Sequence, residues 1–205
     1  MFIVVDPIGI VPLYIGLTSR IPQEKKNGII RKAILISFFV LLGFVLLGKK
    51  FLELLHIEPG SFFIAGGIML FIIAMEMLFG KTPHAKTSKK ENRESDGSES
   101  QSIAVFPLAI PMLAGPGSFT TIILYAGGYS SGIYDFSTIE TAAMLIVSIV
   151  LVLVIAGVVF KASDFILKLL GATGVSVLER VMGLILAGMS VQFVYDGILS
   201  LGFLP

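Results

Sequence analysis

Charged residues along the chain fall into short clusters separated by long apolar runs, and cutting the sequence at those clusters leaves six segments. They run approximately Phe2 to Thr18, Ala33 to Gly48, Ser61 to Gly80, Ile103 to Gly128, Thr141 to Phe160 and Val175 to Leu204. A bilayer core about 30 Å thick takes roughly 20 residues of helix, so each segment is predicted to span a membrane, the second short and the sixth long. The pattern predicts an all-α membrane protein with six transmembrane helices.

Composition strengthens this reading. Of 205 residues 55% are hydrophobic and 14% charged, with a mean hydropathy of +0.94. A net charge of +1, with both signs clustered between apolar runs, leaves no basic face for nucleic acid. The absence of cysteine excludes disulfides and thiolate chemistry, and His56 and His84 lie too far apart for a histidine metal cluster. No metal and no cofactor is expected. Walker A, HExxH, GxSxG and GxGxxG patterns are missing, so the chain is not expected to be an enzyme.

The basic residues set an expected orientation. Arg20, Lys25, Lys26, Arg31 and Lys32 lie in the first connection, Lys81, Lys86, Lys89, Lys90 and Arg93 in the third, and Lys161 and Lys168 in the fifth. The even connections hold only Lys49 and Lys50. The positive-inside rule then puts the odd connections in the cytoplasm and both termini outside, in a multi-pass protein of the inner or plasma membrane. Residues 81–102, with KTSKKENRESDGSESQS at their centre, read as a flexible cytoplasmic linker, a docking or regulatory segment being the alternative. The linker separates a first three-helix unit, residues 1–80, from a second, residues 103–205. MFIVV lacks the basic region and cleavage site of a signal peptide and is read as part of the first span.

The two units resemble each other. A shift of 116 superposes GIMLFIIAMEMLFG from Gly67 on GLILAGMSVQFVYD from Gly183, with Glu76 opposite Gln192, and a shift of 109 brings Pro7 of VDPIG onto Pro116 of AGPGS. Three spans is an odd number, so the units must lie upside down relative to one another, a 3+3 inverted repeat such as secondary transporters use.

Matched breaks in spans one and four carry the functional signal. Asp6 followed by Pro7 reads as an N-cap and first helical residue, so a helix is expected to start there and run to about Thr18. Gly115, Pro116, Gly117 and Ser118 permit an unwound turn and a restart at Pro116. Twelve residues from Pro7 to Thr18 cover about 18 Å, which puts both restarts near the midplane and makes helices 1 and 4 discontinuous. Two helix N-termini meeting there would hold an anion such as a carboxylate, while Asp6 offers oxygens to an ammonium group or a proton. Together they suit a zwitterion. A pair of proline kinks packed on neighbouring helices is the plain alternative.

Glu76 lies about 6 Å from the end of its span and reads as a rim residue or as part of a polar path with Asp6 and Gln192. Glu179 and Arg180 read as a rim pair, and Asp196 as solvent-facing. Gly66 with Gly67, and Gly183 with Ala187 and Gly188, are expected to let helices pack closely.

DPIGIVPLYIGLT from Asp6, FPLAIPMLAGPGSFTT from Phe106 and ERVMGLILAGMSVQFVYDG from Glu179 are motifs by which the chain resembles the MarC family of inner-membrane proteins, over nearly its whole length. The resemblance implies six spans in a 3+3 inverted repeat, both ends outside, and transport of small neutral amino acids such as glycine and alanine. It places the site at Asp6, Pro7, Gly9 and Pro12 and at Gly115, Pro116, Gly117, Ser118 and Thr120. Ile10 stands where family members often have asparagine, which removes one polar side chain from the first break. Family members also carry a longer apolar lead-in. Met1 to Val5 would reach only about 7.5 Å as helix, which leaves open a start further upstream or a thinned outer half of span one.

The expected function is a secondary transporter, an exporter or exchanger of small neutral amino acids working by alternating access about a midplane site. An ion channel or cation exporter using the buried carboxylates is the alternative. An intramembrane aspartyl protease would need Asp6 and Asp196 close together, and the GxGD pattern of such enzymes is absent. The expected partners are an amino-acid zwitterion and the bilayer.

Overall fold

The computed structural model describes residues 1–18, 21–79, 103–126 and 138–202, and among them every regular element is helical. The linker expected at 81–102, with His84, lies outside the described residues, as do the expected ends of the fourth and sixth spans at Gly128 and Leu204. The helices are α1 (Phe2–Val5), α2 (Val11–Thr18), α3 (Gln23–Leu54), α4 (Pro59–Leu78), α5 (Ala104–Leu113), α6 (Pro116–Ala126), α7 (Thr138–Lys161) and α8 (Ser163–Ser200). Among the described residues four helices, α3, α4, α7 and α8, are long and apolar enough to cross a membrane, and a fifth span results if the bent pair α5–α6 counts as one. The α1 and α2 pieces are too short to count, so the expected first span, Phe2 to Thr18, is not a single helix.

Two boundaries differ from the charge-cut pattern. The expected second span, Ala33 to Gly48, is the interior of α3, which has 32 residues and runs from Gln23 to Leu54. At about 1.5 Å per residue such a helix exceeds the hydrocarbon core, and its Gln, Glu, Lys and Arg residues are good helix formers that extend it into water. Charge marks where the membrane ends, not where the helix does. Likewise the fifth connection is mostly helix. Only Ala162 separates α7 from α8, and α8 is reset at Gly171, whose φ of 64° and ψ of 176° only glycine adopts readily.

Irregularity in α5 has a local cause. It is wound as a π-helix and contains non-helical backbone at Phe106 and Ile110, each the residue before a proline, where the pyrrolidine ring pushes the preceding residue into extended conformation. Pro107 and Pro111 thus loosen the approach to the break, and α6 leaves it at an angle of 46°.

Packing falls into two main bodies. One core joins α2, α3, α5, α6 and α7 through Tyr14, Leu41, Leu108, Leu113, Ile122, Ile149 and Phe160, with the Tyr14 and Phe160 rings stacked at 4.9 Å. The second joins α1, α4 and α8 through Val4, Leu70, Ala74, Leu186 and Phe193. Antiparallel α4 and α8 form the most extensive helix pair. Small residues allow their approach: a Cβ on Gly67 would stand 2.7 Å from the Ser190 carbonyl oxygen, and one on Gly183 3.0 Å from that of Ala74. Gly66 instead faces Thr120 of α6, and Gly188 faces open space. Large apolar residues such as Phe39, Leu47, Val147, Val158 and Leu184 are left exposed, as they would be toward lipid.

Candidate functional site

The first break is built around Asp6. Its backbone is left-handed (φ 45°, ψ 62°), a conformation that Asp tolerates better than most residues, and it ends α1. Its Oδ1 accepts the Gly9 N–H at 3.0 Å, the bond an N-cap makes to the third residue of a helix. The Ile10 N–H bonds the Asp6 carbonyl at 3.2 Å and the Val11 N–H bonds the Ile8 carbonyl at 3.1 Å, so residues 7–10 form a tight turn. Regular α-helix therefore begins at Val11 and not at Pro7: the expected cap bond is made, but the turn it closes is spent before the helix starts.

At the second break α6 begins at Pro116, where the sequence predicts a restart. Gly115 is pressed on the Pro111 carbonyl, and a Cβ there would collide with it. The hydroxyls nearby turn back on the main chain. Ser118 Oγ donates to the Leu113 carbonyl at 3.3 Å and Thr120 Oγ1 to that of Pro116 at 2.8 Å.

Both breaks open on one cavity of about 250 Å³ between the two cores. Asp6, Gly9, Gly115, Pro116 and Gly117 line it, and so does Glu76 of α4. Pro7, Pro12, Ser118 and Thr120 do not. Ser118 and Thr120 were expected to face a ligand, but their hydroxyls instead donate to main-chain carbonyls, Ser118 to that of Leu113 at the break and Thr120 to that of Pro116 one turn back in α6, so that these buried polar groups are paired. Gln192 is also not on the cavity: it is exposed, and its Nε2 donates to Asp196 at 2.7 Å across one turn of α8. The expected path Asp6, Glu76, Gln192 therefore loses its last member. Gly117 lines the cavity with its backbone while its missing side chain makes room for Val4 and Leu70, which a Cβ would meet at 2.5 and 2.6 Å.

Three carboxylates line the cavity, Asp6, Glu76 and Glu179, and among the described residues no Lys, Arg or His does. Asp6 is 3% exposed, and its Oδ2 is buried without a hydrogen bond. An isolated carboxylate oxygen away from water is costly, so the site favours a proton or a positively charged group there. No three His, Asp or Glu side chains among the described residues come together as a metal site.

Glu179, expected at a rim, also lines the cavity, and so does an apolar wall that includes Met69, Ile73, Met77 and Met112, which the sequence motifs do not mark. A signal for part of it exists. Met69, Ile73 and Glu76 recur at helical spacing, so a polar residue at 76 marks a stripe of α4 that faces something other than lipid.

A family model described as MarC family integral membrane protein matches residues 1–201. Among curated relatives, a UPF0056 membrane protein of Methanocaldococcus jannaschii is 36% identical over 201 residues, covering 98% of this chain and 84% of that protein. YvbG of Bacillus subtilis and YhcE of Escherichia coli, also UPF0056 membrane proteins, are each 34% identical over 198 residues, covering 97% of this chain and 90% and 88% of theirs. No solved structure matches the chain.

Proposed function

The chain belongs to the MarC family of integral membrane proteins, and from that premise we propose that it is a secondary transporter of neutral amino acids, an exporter or exchanger, with glycine and alanine the substrates that the sequence resemblance implies. One observation carries the reading: two breaks, 109 residues apart in sequence, line a single cavity, and Asp6 at the first of them keeps one buried carboxylate oxygen without a hydrogen bond. The substrate's ammonium group sits on Asp6 Oδ2. Its carboxylate faces the N-terminus of α6, where the first amides of a helix carry partial positive charge and lack intrahelical partners. Glu76 and Glu179 line the same cavity and draw cationic groups toward it.

Alternating access needs two similar halves, and the α4–α8 seam supports the 3+3 inverted repeat. The shift of 116 carries Gly67 onto Gly183 and Ala74 onto Ser190. It therefore turns the contact of Gly67 on Ser190 into that of Gly183 on Ala74, both of which the seam contains. On this reading residues 1–80 and 103–205 are the two repeats, α1 with α2 and α5 with α6 are discontinuous spans one and four, and six spans result.

The test is counterflow. Liposomes containing the purified protein and loaded with unlabelled alanine are expected to accumulate external labelled alanine, and those with Asp6→Asn are not. Absence of accumulation of alanine, glycine or any other neutral amino acid by folded wild-type protein would overturn the proposal. The same three carboxylates favour one second reading, a cation channel or exporter, which predicts ionic currents across the same bilayers and indifference to amino acids.

A further inference from the structure

The cavity does not reach equally toward both ends of the molecule. On α4 it runs from Met69 to Met77, on α8 it touches Glu179 and Leu186, and on α2 it reaches Leu13. Among the described residues none of α6 beyond Gly117 lines it, and none of α4 before Met69. It therefore extends from the breaks between α2 and α8, toward the end where α2 and α4 finish. That is the end the charge count expects in the cytoplasm.

Toward the other end α6 is sealed on α4. A Cβ on Gly66 would collide with Thr120 Oγ1, and one on Gly117 would stand 2.6 Å from Leu70. Further along, Phe63 of α4 and Ile123 of α6 are buried in one cluster with Leu52 of α3. These contacts are apolar apart from the Thr120 hydroxyl, which donates to the Pro116 carbonyl. Parting the two helices would bring water against apolar surface, so the seal is favoured when shut.

The repeat names the counterparts of the sealed residues at the open end. Shifts of 109 and 116 carry Ile123 with Phe63 onto Tyr14 with Glu179, and Thr120 with Gly66 onto Val11 with Met182. Here Glu179 lines the cavity while Tyr14 stacks on Phe160 of α7. Leu13 lines it too, whereas Ile122, its counterpart in α6, is fully buried. By contrast the seam of α4 on α8 is the same in both halves, Gly67 on Ser190 and Gly183 on Ala74, which makes those two helices a unit. One end is shut on that unit and the other stands open, the asymmetry expected of a carrier that faces one side at a time.

We infer that the structure is the cytoplasm-facing state, that α6 on α4 is the closed outer gate with Gly66 and Thr120 in direct contact, and that the opposite state forms when the α4–α8 pair tilts, closing α2 on α8 and freeing α6 from α4. The inference rests on the transporter reading above and its repeat, and says how access to that site is controlled. The two gates differ in kind. Gly66 lets helix lie on helix, whereas its counterpart Met182 is long and adaptable, so the inner gate closes through side chains.

The experiment uses the full-length protein, which has no cysteine of its own. Gly66→Cys with Thr120→Cys puts two Cβ atoms 3.1 Å apart, slightly inside the span of about 3.5–4.5 Å that a disulfide bridges. Oxidation, verified by mass spectrometry of the linked peptides, is expected to abolish alanine counterflow in liposomes, and reduction to restore it. Counterflow that persists through the cross-link overturns the inference and leaves the transporter reading in place. Two single variants keep the test independent of that pair. Without substrate, an impermeant methanethiosulfonate should reach Ile73→Cys faster from the membrane face at which Ser98→Cys reacts. During alanine exchange it should reach Ile123→Cys from the opposite face only. Ile73→Cys reacting as fast from the opposite face, or Ile123→Cys reacting from the Ser98 face or from neither, overturns the inference as well. Wild-type protein that exchanges no amino acid removes the transporter reading, and the gate with it.

Discussion

At Asp6 a structural and a chemical role share one side chain but use different oxygens. Oδ1 closes the turn on Gly9 and Oδ2 faces no partner, so substitutions can separate the two. Asp6→Asn keeps an acceptor for Gly9 and a residue type that tolerates the left-handed backbone. It should leave stability in detergent nearly unchanged while abolishing amino-acid counterflow. Asp6→Ala removes the cap and forces alanine into that conformation, at a cost of about 2 kcal/mol, visible as a lower denaturant midpoint. Equal transport by Asp6→Asn and wild type would leave Oδ2 with no role in binding. That Asp6 would be buried at a break was legible in sequence, because a carboxylate deep in an apolar run needs a reason. That Ser118 and Thr120 would turn back on the main chain was not, since the Leu113 carbonyl that Ser118 meets belongs to the irregular winding of α5, and the Pro116 carbonyl is one of several partners a helical threonine can turn to.

Among the elements, α4 and α8 meet on small residues, and the contacts predict which glycines matter. Gly67→Ala and Gly183→Ala each press a methyl into backbone of the facing helix and should destabilise by about 1–3 kcal/mol. Gly188→Ala, with nothing within 4 Å of the new Cβ, should be neutral or gain up to about 1 kcal/mol from helix propensity. Chemical unfolding of the three variants in one detergent checks the contrast. All three glycines were read alike from sequence, because helical spacing gives a face but not its partner. A second tie joins the start of α3 to the start of α8. Gln23 Nε2 donates to Asp164 Oδ2 at 2.6 Å, and Lys26 Nζ lies 3.5 Å from Oδ1. The Gln23 amide foremost, with the Lys26 charge assisting against partial burial, holds the Asp164 carboxyl below its ordinary range. A carboxyl lowered on folding stabilises above its unfolded value, and this is lost as pH falls through the lower folded one. The side chain is 41% exposed, so the contribution is small. Asp164→Ala should slightly flatten the acid limb of the stability curve, measured by unfolding across the acidic range.

For the whole molecule, the charge count predicts an orientation that chemistry can check directly. The chain has no cysteine, so Ser98→Cys supplies a unique thiol in the expected cytoplasmic connection. A membrane-impermeant maleimide should label it in inside-out vesicles and not in right-side-out ones, and the reverse pattern would invert the topology. The all-helical, membrane-spanning character was legible from apolar run length alone. The division of spans was less so, because a helix such as α3 continues through the charges that end its apolar stretch. The α4–α8 seam has a consequence for the history and assembly of the chain. Contacts that a repeat maps onto themselves have the form of an isologous interface, the self-complementary patch by which two copies of one protein make a closed dimer. On the repeat proposed above, a single chain with such a seam is the equivalent of a fused dimer of two oppositely inserted subunits. Its halves, co-expressed as separate polypeptides divided within residues 81–102, should find each other in the membrane and co-purify, and Gly67→Leu should be enough to keep them apart.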